Sequence, residues 1–217
     1  MNTIDNPPAA RERDLNASIA RTGFRHRIFS CRTLVGLLAV AIGCLLVHPR
    51  NFYGHFDLAV KCFSVALVLA GLALRAWGAA SAGGHTRTAA IEASQLATGG
   101  PYAYVRNPIY LGSMILGLGF VGFLSDPMML LLYGLTFAVL YISIIPAEEA
   151  FLRRRFPAEY ARYCAAVPRL IPRIRPWSGS QRRSSDWVAA TGELRVALLL
   201  LLIFGSLWMT LWIRGVR

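Results

Sequence analysis

Two apolar runs, residues 109–124 and 128–147, are separated only by Ser125-Asp126-Pro127. Apolar stretches this long read as helices, because strands rarely exceed about ten residues. A connection this short forces the two to turn back on each other as an antiparallel helical hairpin. Three further segments share the character: residues 33–47, bounded by Arg32 and His48-Pro49-Arg50, then about 56–80, then 194–213. The last is long enough to cross about 30 Å of hydrocarbon, with Trp208 and Trp212 where interfacial aromatics belong. The first is short unless it extends into its flanks; a signal peptide is excluded there by the long charged segment before it and by the lack of an A-x-A site after it. Within the second, Lys61 and Arg75 stand near opposite ends, where both can snorkel to the interface.

Composition agrees with lipid as the solvent. Of 217 residues, 55% are hydrophobic and 16% charged, against about 25% charged in a soluble domain. The expected fold is therefore all-α: a polytopic transmembrane helical bundle of about five spans, with cytosolic cofactor-binding loops. The formal charge of +12 is almost entirely arginine, Lys61 being the only lysine. Those arginines fall in particular loops and no nucleic-acid module accompanies them, so nucleic acid is not an expected partner. One group, Arg11, Arg13, Arg21, Arg25, Arg27 and Arg32, precedes the first run; a second, from Arg153 to Arg183, lies between the fourth and fifth. Positive charge stays on the cytoplasmic side. That places the N-terminus, loop 81–108 and segment 148–193 in the cytoplasm and the C-terminus outside, as in a bacterial inner-membrane protein. Cys31, Cys44, Cys62 and Cys164 form no C-x-x-C pair, so neither a disulfide framework nor a metal site is expected.

The chain then divides into a flexible basic tail (1–30), two N-terminal spans (31–80), a core (81–173), a polar linker (174–193) and a C-terminal span (194–217). Chemistry concentrates in the core. Gly99-Gly100-Pro101 is a turn, and Pro108 falls where the third run begins, with Asn107 before it at an N-cap position. A helix N-terminus at the membrane surface, beside Arg106, suits an anionic group such as a carboxylate. At the other end of the hairpin, Glu148 and Glu149 are adjacent and so about 100° apart around a helix. One can face the bundle while the other meets solvent or Arg153, Arg154 and Arg155. Leu152, Phe156, Tyr160 and Tyr163 then recur at helical spacing, interrupted by Pro157, as in a helix lying on the membrane surface or roofing a site.

The order G-P-Y-x-Y-x-R-N-P-x-Y-x-G, a short helical hairpin, E-E-x-x-L, F-x-x-E-Y-x-x-Y and V-P-R-x-I-P, over roughly residues 75–173, resembles the isoprenylcysteine carboxyl methyltransferases and the related phospholipid N-methyltransferases. The resemblance implies methyl transfer from S-adenosylmethionine to a lipophilic, membrane-resident acceptor that enters from the bilayer. It implies cofactor contacts at Ser94, Gln95, Leu96, Ala97, Tyr102, Asn107, Pro108, Ile109, Tyr110 and Glu148. Asn107, Glu148 and Arg106 are the candidate catalytic residues. Two positions depart from the family pattern: Asn107 stands where histidine is common, and Ile144 where the prenylcysteine enzymes carry an acceptor-binding arginine. Two other classes share the architecture, a membrane NADPH-dependent reductase similar to the sterol reductases and a non-catalytic membrane subunit.

Overall fold

A computed structural model describes residues 57–82, 95–180 and parts of 186–209. The expected spans at 33–47 and, for the most part, 194–213 lie outside the described residues, as does Ser94. What is described contains helices and no strand. Helix α1 is Asp57–Ala82, α2 Pro108–Leu124, α3 Pro127–Arg155 and α4 Pro157–Ala166, with a 3-10 turn at Gly100–Ala103 ahead of α2.

The hairpin forms where its short connection requires it. Ser125 adopts a left-handed conformation (φ 56°) that ends α2. The Asp126 carboxylate then accepts from the Met128 and Met129 amides at 2.8 and 3.2 Å, capping α3, and Pro127 occupies the first turn. Two of the four orphan amides of a helix start are satisfied in this way. Pro146 lies inside α3 and has no N–H to donate to the Ile142 carbonyl, two residues before the Glu148-Glu149 pair.

Helices α1 and α2 pack closely along their length, whereas α3 touches α2 more sparsely. Glycines permit the close approach. A Cβ on Gly71 would stand 2.5 Å from the Leu116 amide nitrogen, and one on Gly119 would stand 2.5 Å from the Ser64 carbonyl oxygen. Such small-residue contacts are what bring helices together in an apolar solvent, where burial gives no driving force. Tyr133 of α3 fits over Gly117 and donates to the Ser113 and Met114 carbonyls of α2 at 3.2 and 3.0 Å. The outer surface stays apolar: Phe63, Leu69, Leu131, Leu135, Val139 and Ile142 are all exposed. Among the described residues two helices, α1 and α3, are long and apolar enough to cross a membrane, and α2 is a shorter apolar helix.

Beyond α3 the chain breaks at Phe156 and restarts at Pro157, so the proline expected to interrupt the stripe opens α4. The stripe itself faces protein. Tyr160, Tyr163 and Val167 are 1–2% exposed and pack with Leu96, Leu152, Phe156 and Trp177. The expectation of a helix resting its apolar face on the membrane is corrected: loop 95–106 and Trp177 occupy that face. Backbone bonds fix the arrangement, from Arg106 N–H to the Pro168 carbonyl (2.9 Å), Arg173 to Tyr104 (3.0 Å) and Trp177 to Ala103 (3.0 Å). The Tyr163 hydroxyl adds a bond to the Tyr102 carbonyl at 2.8 Å. We refer to this layer, α4 with residues 95–106 and 167–177, as the cap.

Candidate functional site

The site begins with the end of α3 and the start of α2. Tyr110, one turn into α2, donates its hydroxyl to Glu148 Oε1 at 2.6 Å. Tyr102 comes to the same carboxylate from the cap: its hydroxyl is held well above the usual phenol range, first by burial and then by the negative charge of Glu148. One phenol bonded to it and a second held protonated beside it thus flank one half-buried carboxylate.

Glu149 points elsewhere, and here the sequence expectation is corrected. It is 3% exposed and paired, meeting neither solvent nor the exposed Arg153, Arg154 and Arg155. Arg169 donates to both its oxygens, from Nε at 3.0 Å and from Nη2 at 2.6 Å. Arg106 Nη1 lies 3.3 Å from Oε1 on the other side and also reaches Cys164 Sγ. This bidentate fork ties α3 to the end of the cap, and the bond to Glu149 pushes the Arg169 pKa further up. The 100° between adjacent helical residues does separate the two glutamates, but both faces are occupied by protein.

The other expected cofactor residues divide. Leu96 belongs to the cap core, Pro108 is buried, and Ile109 packs against Gly78 of α1. Gln95 is exposed, and Ala97 is half-buried in the extended segment before the turn. Gly100 has the left-handed φ of 57° that its turn requires, and it lies so close over Ser81 that a side chain there would collide. Asn107 occupies the N-cap position of α2 without making a side-chain cap; its Nδ2 donates instead to the Arg169 carbonyl at 3.1 Å. The structure thus brings Tyr102, Tyr110 and Glu148 together. It places Arg106 and Asn107 on the adjoining ion-paired face.

An apolar cleft of about 190 Å³ opens beside the cap, lined by Leu74, Trp77, Pro101, Tyr104, Val105, Leu111 and Pro172. It is smaller than the roughly 300–1,000 Å³ of ordinary ligand pockets, and none of the expected cofactor residues lines it. Among the described residues, no group of three or more His, Cys, Asp or Glu is placed to hold a metal ion.

Reasoning from sequence left a second polar layer unnoticed. Arg75 of α1 does not snorkel outward: it hydrogen-bonds Ser113 of α2, and its Nε lies 2.7 Å from Glu193 Oε2. Tyr141 of α3 stands seven residues before Glu148, two turns down the same face and about 10 Å deeper. That spacing was the available signal.

The described residues thus form an apolar helical hairpin with a carboxylate held by Tyr110 at its end and a cap closed over it. Residues 60–159 match the family model described as phospholipid methyltransferase, just under half of the chain. The chain is 28% identical over 158 residues to the Cobalt-zinc-cadmium resistance protein CzcN of Cupriavidus metallidurans, covering 71% of this chain and 68% of that one. It is also 28% identical over 158 residues to the Nickel-cobalt-cadmium resistance protein NccN of Alcaligenes xylosoxydans xylosoxydans, covering 69% and 66%. With the Protein-S-isoprenylcysteine O-methyltransferase of Schizosaccharomyces pombe it shares 39% identity over 79 residues, 36% of this chain and 34% of that enzyme. The chain therefore spans about two thirds of the two resistance proteins and about a third of that methyltransferase. No solved structure matches. Residues 60–159 are thus similar to methyltransferases of the phospholipid type, and part of the chain is similar to those of the isoprenylcysteine carboxyl type.

Proposed function

We propose that this protein is an S-adenosylmethionine-dependent methyltransferase whose acceptor is lipid-soluble and reaches the site from the bilayer. In this reading the chain crosses a bacterial inner membrane about five times, with the N-terminus and the cap in the cytoplasm. The observation that carries it is the Glu148 carboxylate, held by Tyr110 and faced by Tyr102, at the cap end of a long apolar helix.

The residues present fit the cofactor's polar half. An ammonium and a ribose diol both need an acceptor, and Glu148 is half-exposed beside the Tyr110 and Tyr102 side chains. A carboxylate needs a donor, and Arg106 Nε is buried with no hydrogen-bond partner. When bound, S-adenosylmethionine supplies an electrophilic methyl on a sulfonium, a good leaving group that asks for little acid catalysis. The protein's contribution is orientation and dryness, and alignment alone can supply several kcal/mol. Glu148, Tyr102 and Tyr110 orient; Asn107 and Arg106 frame the opposite end; Tyr160, Tyr163 and Val167 close the cap against water. An acid acceptor arrives as a carboxylate and needs no base, which suits Asn107, whose amide does not titrate; an amine or phenol would have to lose its proton to solvent.

The acceptor differs from that of the prenylcysteine enzymes. Ile144, one turn before Glu148, is 7% exposed and cannot hold a carboxylate. We therefore expect weak methylation of a farnesylated cysteine analogue and methyl incorporation into an extractable lipid. Calorimetric titration of the full chain in detergent with S-adenosylhomocysteine is the test. Micromolar binding supports the reading; binding of NADPH instead favours the reductase class, and binding of neither favours a non-catalytic subunit.

A further inference from the structure

One layer below Glu148, three helices meet around a charge that the proposed methyl transfer does not use. Arg75 extends from α1 over Gly112, where a Cβ would stand 2.8 Å from its Cγ. Its guanidinium hydrogen-bonds Ser113 Oγ, which in turn donates to the Ile109 carbonyl at 2.9 Å. Tyr141 of α3 stacks edge-on against Tyr110 (centroids 5.3 Å) and lies over Phe137 (3.7 Å). The charges of both Arg75 and Glu148 reach the Tyr141 hydroxyl. That hydroxyl is buried and has no hydrogen-bond partner. A phenol left unpaired beside an arginine, in an apolar bundle, is costly unless something else satisfies it.

The counter-ion of Arg75 comes from outside the family core. Glu193 belongs to a helical stretch, residues 190–195, beyond the matched region 60–159. Its side chain is 13% exposed and that of Arg75 is 18% exposed. The segment leading to it is itself fixed, since the Asp186 amide donates to the Ala80 carbonyl at 2.9 Å. A carboxylate delivered by a later segment thus occupies an arginine between the core helices, two turns from the proposed methyl donor. It shows what the seat accepts.

We propose that Arg75, with the Tyr141 hydroxyl, is the seat for the carboxylate of an amphiphilic acceptor, and that Glu193 fills this seat as an internal competitor until the acceptor displaces it. The inference rests on the methyltransferase reading and deepens it. The cation missing at Ile144 of α3 is supplied from α1, at a different depth and angle. Selection then falls on an acid whose apolar chain extends along the exposed surfaces of α2 and α3. The competing carboxylate lowers the apparent affinity of any acceptor by the fraction of time the seat is filled.

The test is binding of radiolabelled oleate to the full chain in phosphatidylcholine nanodiscs, with empty nanodiscs as blank and methyl oleate as the uncharged control. Glu193→Gln should bind oleate about tenfold more tightly than the parent if the latch is closed roughly nine-tenths of the time. Arg75→Gln should lose oleate binding in either background, and methyl oleate should bind to none. Tyr141→Phe should weaken oleate alone. The proposal is overturned if Glu193→Gln, folded and still binding S-adenosylhomocysteine, holds oleate no better than the parent. If Glu193→Gln fails to fold, Glu193→Asp, whose shorter arm pairs less well, must show a smaller gain of the same sign; no gain overturns the proposal equally. Oleate retained by Arg75→Gln also overturns it. S-adenosylhomocysteine is titrated into the same samples, so loss of donor binding and loss of the acid seat are read separately.

Discussion

The Tyr110 hydroxyl and the Glu148 carboxylate are joined at 2.6 Å across the opening between α2 and α3. Each helix thus sets the position of the other at the end where the chemistry is proposed. The bond also turns one carboxylate oxygen, Oε1, toward its phenol partner.

Removing that carboxylate should weaken donor binding more than removing its phenol partner. For Glu148→Ala we expect a loss of about 1.5–3 kcal/mol in S-adenosylhomocysteine affinity, the size of a hydrogen bond to a charged group. Tyr110→Phe should cost about 0.5–1.5 kcal/mol, because the carboxylate survives without its orienting partner. Calorimetry on both variants decides the order; a larger loss in Tyr110→Phe would remove Glu148 from the donor contacts.

Glu149 should behave as a structural residue. Glu149→Ala leaves the Arg106 guanidinium, whose side chain is 14% exposed, without its carboxylate. Breaking a buried pair costs about 3–5 kcal/mol, and the half-exposed Arg169 moves the expectation to the low end. Thermal unfolding of the purified protein should show the drop. A variant as stable as the parent, with donor binding lost, would reverse the roles of the two glutamates.

Replacement of Gly112 by leucine should separate α1 from α2. A Cβ there already stands 2.9 Å from the Gly71 carbonyl oxygen, and neither backbone can withdraw. Overpacking typically costs about 1–3 kcal/mol, and the Arg75–Ser113 bond should loosen with it. Gly134, with open space around it, is the control: Gly134→Leu should leave the melting temperature within a degree or two.

Alkaline pH should unfold the cap before neutral or mildly acidic pH does. Burial raises the hydroxyl pKa of Tyr102, Tyr160 and Tyr163. The folded form therefore keeps protons that the unfolded chain loses near pH 10. Their contribution is complete below that value and declines as pH rises above it. Stability should be flat, so far as these groups decide it, from pH 6 to about 9. Tyrosinate absorbance should appear together with loss of helix. Early ionisation of these three in a still-helical protein would show the cap to be open.

Topology can be checked separately. Reporter fusions near residue 180 and at residue 217 should lie on opposite sides of the membrane, as the arginine distribution requires. The same side for both would end the five-span arrangement.

Much of this was legible in the chain itself. The Ser125-Asp126-Pro127 connection dictated the hairpin, and Pro108 and Pro157 each open a helix. Glu148 and Tyr110 were marked by the motif order, and the structure places them in contact. What escaped were pairings of large sequence separation. Arg169 lies 20 residues from Glu149, and Glu193 118 residues from Arg75. Helical periodicity says which residues share a face but not which face meets which, so Glu149 was read toward solvent and Arg75 toward the interface. The stripe of α4 was misassigned for a similar reason: an apolar face looks the same in sequence whether a lipid or a loop covers it.

The bonds from Ala103, Tyr104 and Arg106 to residues 168–177 also set a timetable. A chain leaving the ribosome delivers α1, α2 and α3 first, and these can enter the bilayer as soon as they emerge. Tyr102 cannot be held over Glu148 until some seventy residues later, when Trp177 has been made and has folded back. The newborn protein therefore passes through an interval as an inserted but uncapped hairpin, its carboxylate open to water. On the proposed function, competence to bind the donor would then arrive last, as a property of finished synthesis rather than of insertion.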